Sequence, residues 1–207
     1  MIVAYDGTPF HGFAINPKVS TVAGSLGESL QQIFQQPIPL VSAGRTDAGV
    51  HAKAQVVSCD VPAHCELPTL RKQLNSLCGP EIIVKEIAWA SADFHARFSA
   101  IGRRYSFRLV GRRAPVTHDK GLVWQVLNPL DEGAMRQGAA HLLGKQDFTT
   151  FRSTFCQAAS PVKTLDEVRI EAAAIPGGRE FRFHLRARSF LHNQVRSIVG
   201  TLERVGA

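Results

Sequence analysis

Apolar residues recur at helical spacing in three stretches of the chain, each of which predicts an amphipathic helix, and a capping residue predicts one further helix. The first helix is expected over residues 21–35, where Ser20 or Thr21 can act as the N-cap and Pro37 ends the pattern. The second begins near Pro68 and stops at the Gly-Pro pair of residues 79–80. The third runs from Asp131, which can act as its N-cap, to about Leu143. The last carries one apolar stripe, formed by Leu191, Val195, Ile198, Val199 and Leu202.

Between the helices, short apolar or alternating segments predict strands. A hairpin is expected where Val168, Ile170 and Ala172 pair with Phe181, Phe183 and Leu185 across a Pro-Gly-Gly turn. Residues 82–87 read as a buried strand, and alternation over residues 105–110 places Tyr105 on one face of another. Two more short strands are expected over residues 40–43 and 55–59.

The mixture of elements starts again after residue 99, which predicts an α+β protein of two similarly built halves, residues 1–99 and 100–207. A chain of 207 residues with 44% hydrophobic content can bury one large core or two modest ones. No low-complexity linker separates the halves, so we expect them to share one continuous sheet.

Charge then restricts the partner. The chain has 24 Lys and Arg against 17 Asp and Glu, and its net charge of +7 favours a polyanion. Six arginines crowd one segment among aromatic residues, which is typical of a nucleic-acid surface but also compatible with a solvated face. They are Arg97, Arg103, Arg104, Arg108, Arg112 and Arg113.

The four cysteines form no C-x-x-C pair, and the N-terminus does not resemble a signal peptide. Both features favour reduced thiols and a cytoplasmic protein. No apolar run approaches the roughly 18 residues that span a bilayer, so no membrane anchor is expected. The eight histidines lack ligand spacing, and we predict no metal and no cofactor.

Residues 44–52 read GRTDAGVHA and place an acid beside an arginine in a tight loop between two predicted strands. Two glycines in the loop allow a large ligand to approach the main chain. The loop is compatible with an ordinary turn in which Asp47 accepts backbone hydrogen bonds and Arg45 is solvated. A hydrolase that uses Asp47 with His51 is a further alternative, although no second carboxylate lies at a suggestive spacing.

The nonapeptide closely resembles the signature loop of the TruA family of tRNA pseudouridine synthases. Further segments resemble this family in the same order along the chain, from the opening strand to the closing helix. They are residues 5–12 (YDGTPFHG), 94–100 (FHARFSA), 103–107 (RRYSF), 144–152 (GKQDFTTFR) and 189–202 (SFLHNQVRSIVGTL).

The resemblance implies the pseudouridine synthase fold: two related halves whose mostly antiparallel sheets merge, flanked by helices, with a central cleft. It implies isomerisation of uridine to pseudouridine in the anticodon stem-loop of tRNA, by a homodimer. It also implies that the chain is truncated, because family members continue through a further helix and strand. A catalytically silent RNA-binding fragment and a purely structural domain are the alternatives.

The resemblance also assigns the site residues. Asp47 matches the catalytic aspartate, and Arg196 the arginine that keeps this acid ionised. Tyr105 matches the tyrosine that packs against the flipped uracil, and Arg45 the residue that fills the vacated stack. The arginines Arg97, Arg103 and Arg104 would contact phosphates. Tyr105 could instead be a core aromatic, Arg45 a phosphate contact only, and Arg196 a surface residue of its helix.

Overall fold

A computed structural model describes residues Met1–Ala207, which form two compact units, Met1–Ala100 and Ile101–Ala207. In the first unit two helices pack on one face of a four-stranded antiparallel sheet. Its elements in chain order are β1 (Ile2–Tyr5), α1 (Val22–Phe34), β2 (Val41–Ser42), β3 (Ala52–Ser58), α2 (Leu67–Cys78) and β4 (Ile82–Glu86). The strand order is β2-β3-β1-β4, which makes β1 and β3 the central strands.

Both predicted helices of this unit are confirmed within about one residue. The Thr21 hydroxyl caps α1 by accepting a hydrogen bond from the Gly24 amide at 3.2 Å, and Pro68 lies in the first turn of α2. The prediction that β4 is a buried strand is wrong for three of its five residues. Ile82 and Val84 are buried, whereas Ile83 is exposed, because the helices cover only one face of the sheet.

In the second unit two helices pack on a five-stranded sheet of order β6-β5-β9-β8-β7. Only β5 and β6 are parallel. The elements are β5 (Arg103–Arg112), β6 (Trp124–Val126), α3 (Glu132–Ala140), β7 (Gly144–Asp147), a 3₁₀ turn (Thr149–Phe151), β8 (Val162–Ile175), β9 (Gly178–Ala187) and α4 (Gln194–Gly206).

The predicted hairpin is confirmed in its register. Ile170 pairs with Phe183, and the pairs Val168 with Leu185 and Ala172 with Phe181 lie on either side of it. Ile170 and Phe183 are both buried. The last helix differs from the prediction, because α4 begins only at Gln194 and Leu191 precedes it. Leu191 is nevertheless buried, and its amide donates to Oε1 of Gln194 at 2.8 Å. The Gln194 side chain therefore satisfies a backbone donor in the segment that leads into α4.

The predicted α+β class is confirmed, with mostly antiparallel sheets and four helices. The strands form a four-stranded sheet in the first unit and a five-stranded sheet in the second. The segment between β4 and β5 contains turns and no strand, so it adds nothing to either ladder. None of the helices is long and apolar enough to cross a membrane.

Candidate functional site

The loop that carries Asp47 connects β2 to β3 in the first unit. Its tip is a tight turn in which the Asp47 carbonyl accepts a hydrogen bond from the Val50 amide at 3.1 Å. Gly49 adopts a φ of 75°, a left-handed conformation that few other residues tolerate, so the turn requires glycine at this position. Asp47 is half-buried and Arg45 is exposed.

The segment between β1 and α1 holds this loop through the main chain. The Phe13 amide donates to the Thr46 carbonyl at 3.0 Å, and the Gly49 amide donates to the Phe10 carbonyl at 3.2 Å. Gly7 lies so close to the loop that a Cβ atom on it would be 2.2 Å from the Val50 carbonyl oxygen. The backbone on either side of Asp47 is therefore fixed by a neighbouring segment.

Two side chains secure the start of the same loop. Gln55 on β3 donates to the Gly44 carbonyl at 2.8 Å and accepts from the Gly44 amide at 3.3 Å. The Tyr5 hydroxyl lies 2.8 Å from Oγ1 of Thr46. Burial raises the pKa of Tyr5, and hydrogen bonds with Thr46 and Gln55 offset part of that rise. Neutral Tyr5 and Gln55 thus hold the residues that precede Asp47.

His51 secures the end of the loop. Its Nδ1 lies 3.2 Å from the Gly7 amide nitrogen and 3.0 Å from Oδ1 of Asp6, and it can serve only one of these groups at a time. The pKa of Asp6 is lowered mainly by the Thr8 hydroxyl and amide, with a smaller effect from His51. Nε2 of His51 is buried without a partner, so neither ring nitrogen bonds to Asp47. This contact pattern does not support an Asp47–His51 hydrolase.

Gln55→Ala should loosen the loop while leaving the sheet intact. The change removes both hydrogen bonds to Gly44, which lowers the free energy of local opening by roughly 1–2 kcal/mol. Amide hydrogen exchange over residues 43–50 should therefore accelerate by about tenfold. Lys53→Ala, an exposed change on the same strand, is the matched control and should leave exchange in the loop unaltered. Equal exchange in both variants would contradict the role of Gln55.

The predicted site residues are divided between the units. Arg45, Asp47 and Arg97 belong to the first unit, and the four others to the second. Arg97 is exposed, and its guanidinium lies 5.7 Å from the centroid of the Phe98 ring, which in turn stacks on His95 at 4.4 Å. This exposed cation and aromatic pair is a surface on which an unstacked base can lie.

In the second unit Tyr105 is half-buried on the core-facing side of β5. Its ring meets the Phe190 ring edge-on, with centroids 5.1 Å apart. Arg196 is exposed in the first turn of α4. Arg103 donates to the Arg188 carbonyl, and Arg104 is exposed on the opposite face of the strand.

Two arginines of the arginine-rich segment have protein partners. Arg108 bonds to Glu180 at 2.8 Å and to Asp119 at 3.0 Å. These bonds raise the pKa of Arg108, and the two carboxylates compensate the positive charge of its guanidinium. Arg112 donates to the carbonyls of Ala114 and Pro115, both at 2.9 Å, and so orders the loop that follows β5. Sequence proximity could not show these partners.

No group of three or more His, Cys, Asp or Glu side chains lies in an arrangement that could hold a metal ion. The four cysteines are free thiols. Burial raises the pKa of the thiols of Cys59, Cys65 and Cys78. Asp47 therefore remains the candidate catalytic group of the first unit.

Comparison with known proteins gives a consistent family. Residues 139–207 match the family model described as tRNA pseudouridine synthase. Proteins named tRNA pseudouridine synthase A match nearly the whole chain. The one from Dinoroseobacter shibae is 56% identical over 99% of this chain and 80% of its own length. The one from Paracoccus denitrificans is 58% identical over 100% and 81%, and the one from Cereibacter sphaeroides 54% over 99% and 80%. Identity of this extent across both units establishes common ancestry, and the chain therefore belongs to the tRNA pseudouridine synthase A family of isomerases.

Proposed function

We propose that this protein converts uridine to pseudouridine in the anticodon stem-loop of tRNA, with Asp47 as the catalytic carboxylate. One observation carries the proposal: Asp47 lies on a loop whose backbone is fixed on both sides, in a chain more than half identical to named tRNA pseudouridine synthases. A fixed loop is what such a group needs, since a reacting atom misplaced by about 1 Å can cost a factor of about 10² in rate.

The reaction requires a carboxylate and no redox partner. The bond between uracil N1 and ribose C1′ breaks, the base turns over, and a bond forms between C5 and the same C1′. The C5 proton then leaves and the released N1 gains a proton, so the product is an isomer of the substrate. Asp47 can act by attacking the ribose or the base, or by stabilising the intermediate if a glycal forms. Each of these three roles is compatible with a half-buried aspartate.

The other roles follow from the family resemblance and are part of the same proposal. Exposed Arg45 would fill the stack that the flipped uridine leaves, and Tyr105 would lie against the uracil. Arg196 would supply the cation that the aspartate needs. Tyr105→Phe and Arg196→Lys, measured by turnover with tRNA, test the tyrosine hydroxyl and the guanidinium shape separately.

Phosphate contacts are proposed for Arg97, Arg103 and Arg104. The net charge of +7 supports an RNA backbone as their partner. An exposed Arg97 beside the stacked Phe98 and His95 rings supports a role close to an unpaired base. A homodimer and a cytoplasmic location belong to the proposal as well, and light scattering of the purified chain measures the first.

Tritium release tests the function directly. With tRNA labelled at C5 of uridine, isomerisation exchanges the label into water, so the wild-type chain should release counts in proportion to pseudouridine formed. tRNA whose anticodon-arm uridines are replaced by cytidine is the matched control and should release none of the counts assigned to that arm. Binding of tRNA without release would identify a silent RNA-binding protein and overturn the proposal.

A further inference from the structure

The sheet of the second unit has one face that the helices do not cover, and this face is densely charged. Along β5, β8 and β9 the residues that alternate with the core point to this side. Its basic side chains come from three adjacent strands, and the strand registers place them in rows. They are Arg104, Arg108, Arg169, Arg182, His184 and Arg186.

Carboxylates on the same face neutralise most of these cations. Arg108 bonds to Glu180 and Asp119, and Arg182 also reaches Glu180, at 3.1 Å. Arg169 contacts Glu171 and lies 3.4 Å from Oε1 of Glu167.

His184 completes this paired part of the face. Its Nε2 lies 3.2 Å from Oε2 of Glu171. Burial lowers the pKa of His184, and the charges of Arg169 and Arg182 lower it further, so the imidazole is neutral near pH 7.

Arg104 and Arg186 differ from their neighbours. They are direct partners across β5 and β9, so their side chains leave the sheet side by side. Both are exposed, and neither guanidinium forms an ion pair. Glu167 is the register partner of Arg186 on β8, but its carboxylate contacts Arg169 instead. Like charges directly opposite each other destabilise a sheet, so this pair weakens the fold unless an anion lies between them.

We propose that Arg104 and Arg186 together form a binding site for a phosphodiester of the RNA backbone, an inference that rests on the proposed function. Two guanidinium forks on adjacent strands can hold both free oxygens of one phosphate or bridge two successive phosphates. Ser106, exposed two residues along the same face, adds a hydroxyl donor. Because these side chains are exposed and not enclosed in a pocket, the site recognises an RNA strand held by other contacts as well, and it reads no base.

The test compares two double variants that lower the net charge equally. Arg104→Gln with Arg186→Gln removes the unpaired charges, whereas Arg169→Gln with Arg182→Gln removes charges that carboxylates already neutralise. Binding of tRNA is measured by fluorescence anisotropy over a range of KCl concentrations. The first variant should lower the slope of log K against log salt by about 2, and the second should leave it nearly unchanged.

The free energy of unfolding provides a second readout, which distinguishes a ligand site from a structural role. Urea unfolding should show the Arg104 and Arg186 variant to be as stable as the wild type or slightly more so, because a like-charge contact is removed. Lost RNA affinity in a protein of undiminished stability therefore indicates a ligand site. Equal slopes in the two variants, whether both fall or neither does, would overturn the proposal.

Failure of this site and failure of the proposed function are separable. Tritium release by the wild type together with an unchanged salt slope in the first variant would disprove the arginine pair and leave the function standing. A slope that falls only in the first variant, in a chain that releases no tritium, would support the pair and overturn the function.

Discussion

Asp47→Asn should abolish pseudouridine formation while leaving tRNA binding within a few-fold of the wild type. Asparagine has nearly the same size and keeps the turn at residues 47–50, whose hydrogen bond uses the main chain. It removes the negative charge and the nucleophilic oxygen that the reaction needs. Loss of such a group typically lowers turnover on the order of 10⁴-fold or more. Tritium release from C5-labelled tRNA measures it, with anisotropy reporting binding in parallel.

Asp60→Asn is the matched control for charge. Asp60 is an exposed aspartate of the same unit, so its replacement changes the net charge equally without touching the loop. It should retain wild-type turnover. If Asp47→Asn released tritium at a rate comparable with Asp60→Asn, Asp47 would have no part in the chemistry.

Elements with a local signal could be predicted from the sequence. The β8–β9 hairpin follows from strict alternation on either side of a Pro-Gly-Gly turn, and its register is correct. Helix α1 follows from its apolar repeat and from Thr21, whose hydroxyl accepts the capping bond. Both depend only on residues close together in the chain, which is why pattern and propensity suffice.

Features that depend on distant residues could not be predicted. Arg108 is part of the arginine-rich segment that favours a polyanion, but Glu180, which pairs with it, lies 72 residues away. The Tyr5 contact with Thr46 spans 41 residues, and neither side chain has a pattern that indicates the other. Leu191 fits the apolar stripe of α4 yet precedes the helix, because burial alone does not distinguish a helix from the segment that leads into it.

The candidate site shows the same division. The residues around Asp47 were recognised as a loop from their glycines and from the family resemblance. The two hydrogen bonds between Gln55 and Gly44 could not be predicted, since a single glutamine in a strand has no pattern that indicates its partner. The unpaired Arg104 and Arg186 become visible only when β5 and β9 are placed in register.

Gly7→Ala should damage both the stability of the first unit and the activity. The added Cβ would lie 2.2 Å from the Val50 carbonyl oxygen and 2.9 Å from the Gly49 carbonyl carbon, and both are main-chain atoms that cannot rotate away. The loop must shift, at an expected loss of about 1–3 kcal/mol in the free energy of unfolding. Hydrogen bonds that end on the same segments, from Gly49 to Phe10 and from Gly7 to His51, would weaken with it.

Gly27→Ala separates this clash from the general effect of adding a methyl group. Gly27 lies inside α1, and a Cβ there would meet no atom within 4 Å. Alanine in that position should stabilise the unit by about 0.5–1 kcal/mol through its better helix propensity. The two substitutions should therefore shift urea unfolding in opposite directions. Tritium release, measured where each variant is still folded, should fall only for Gly7→Ala, because only that change displaces the backbone next to Asp47. A Gly7→Ala protein with wild-type stability and turnover would show that the loop does not need this close approach.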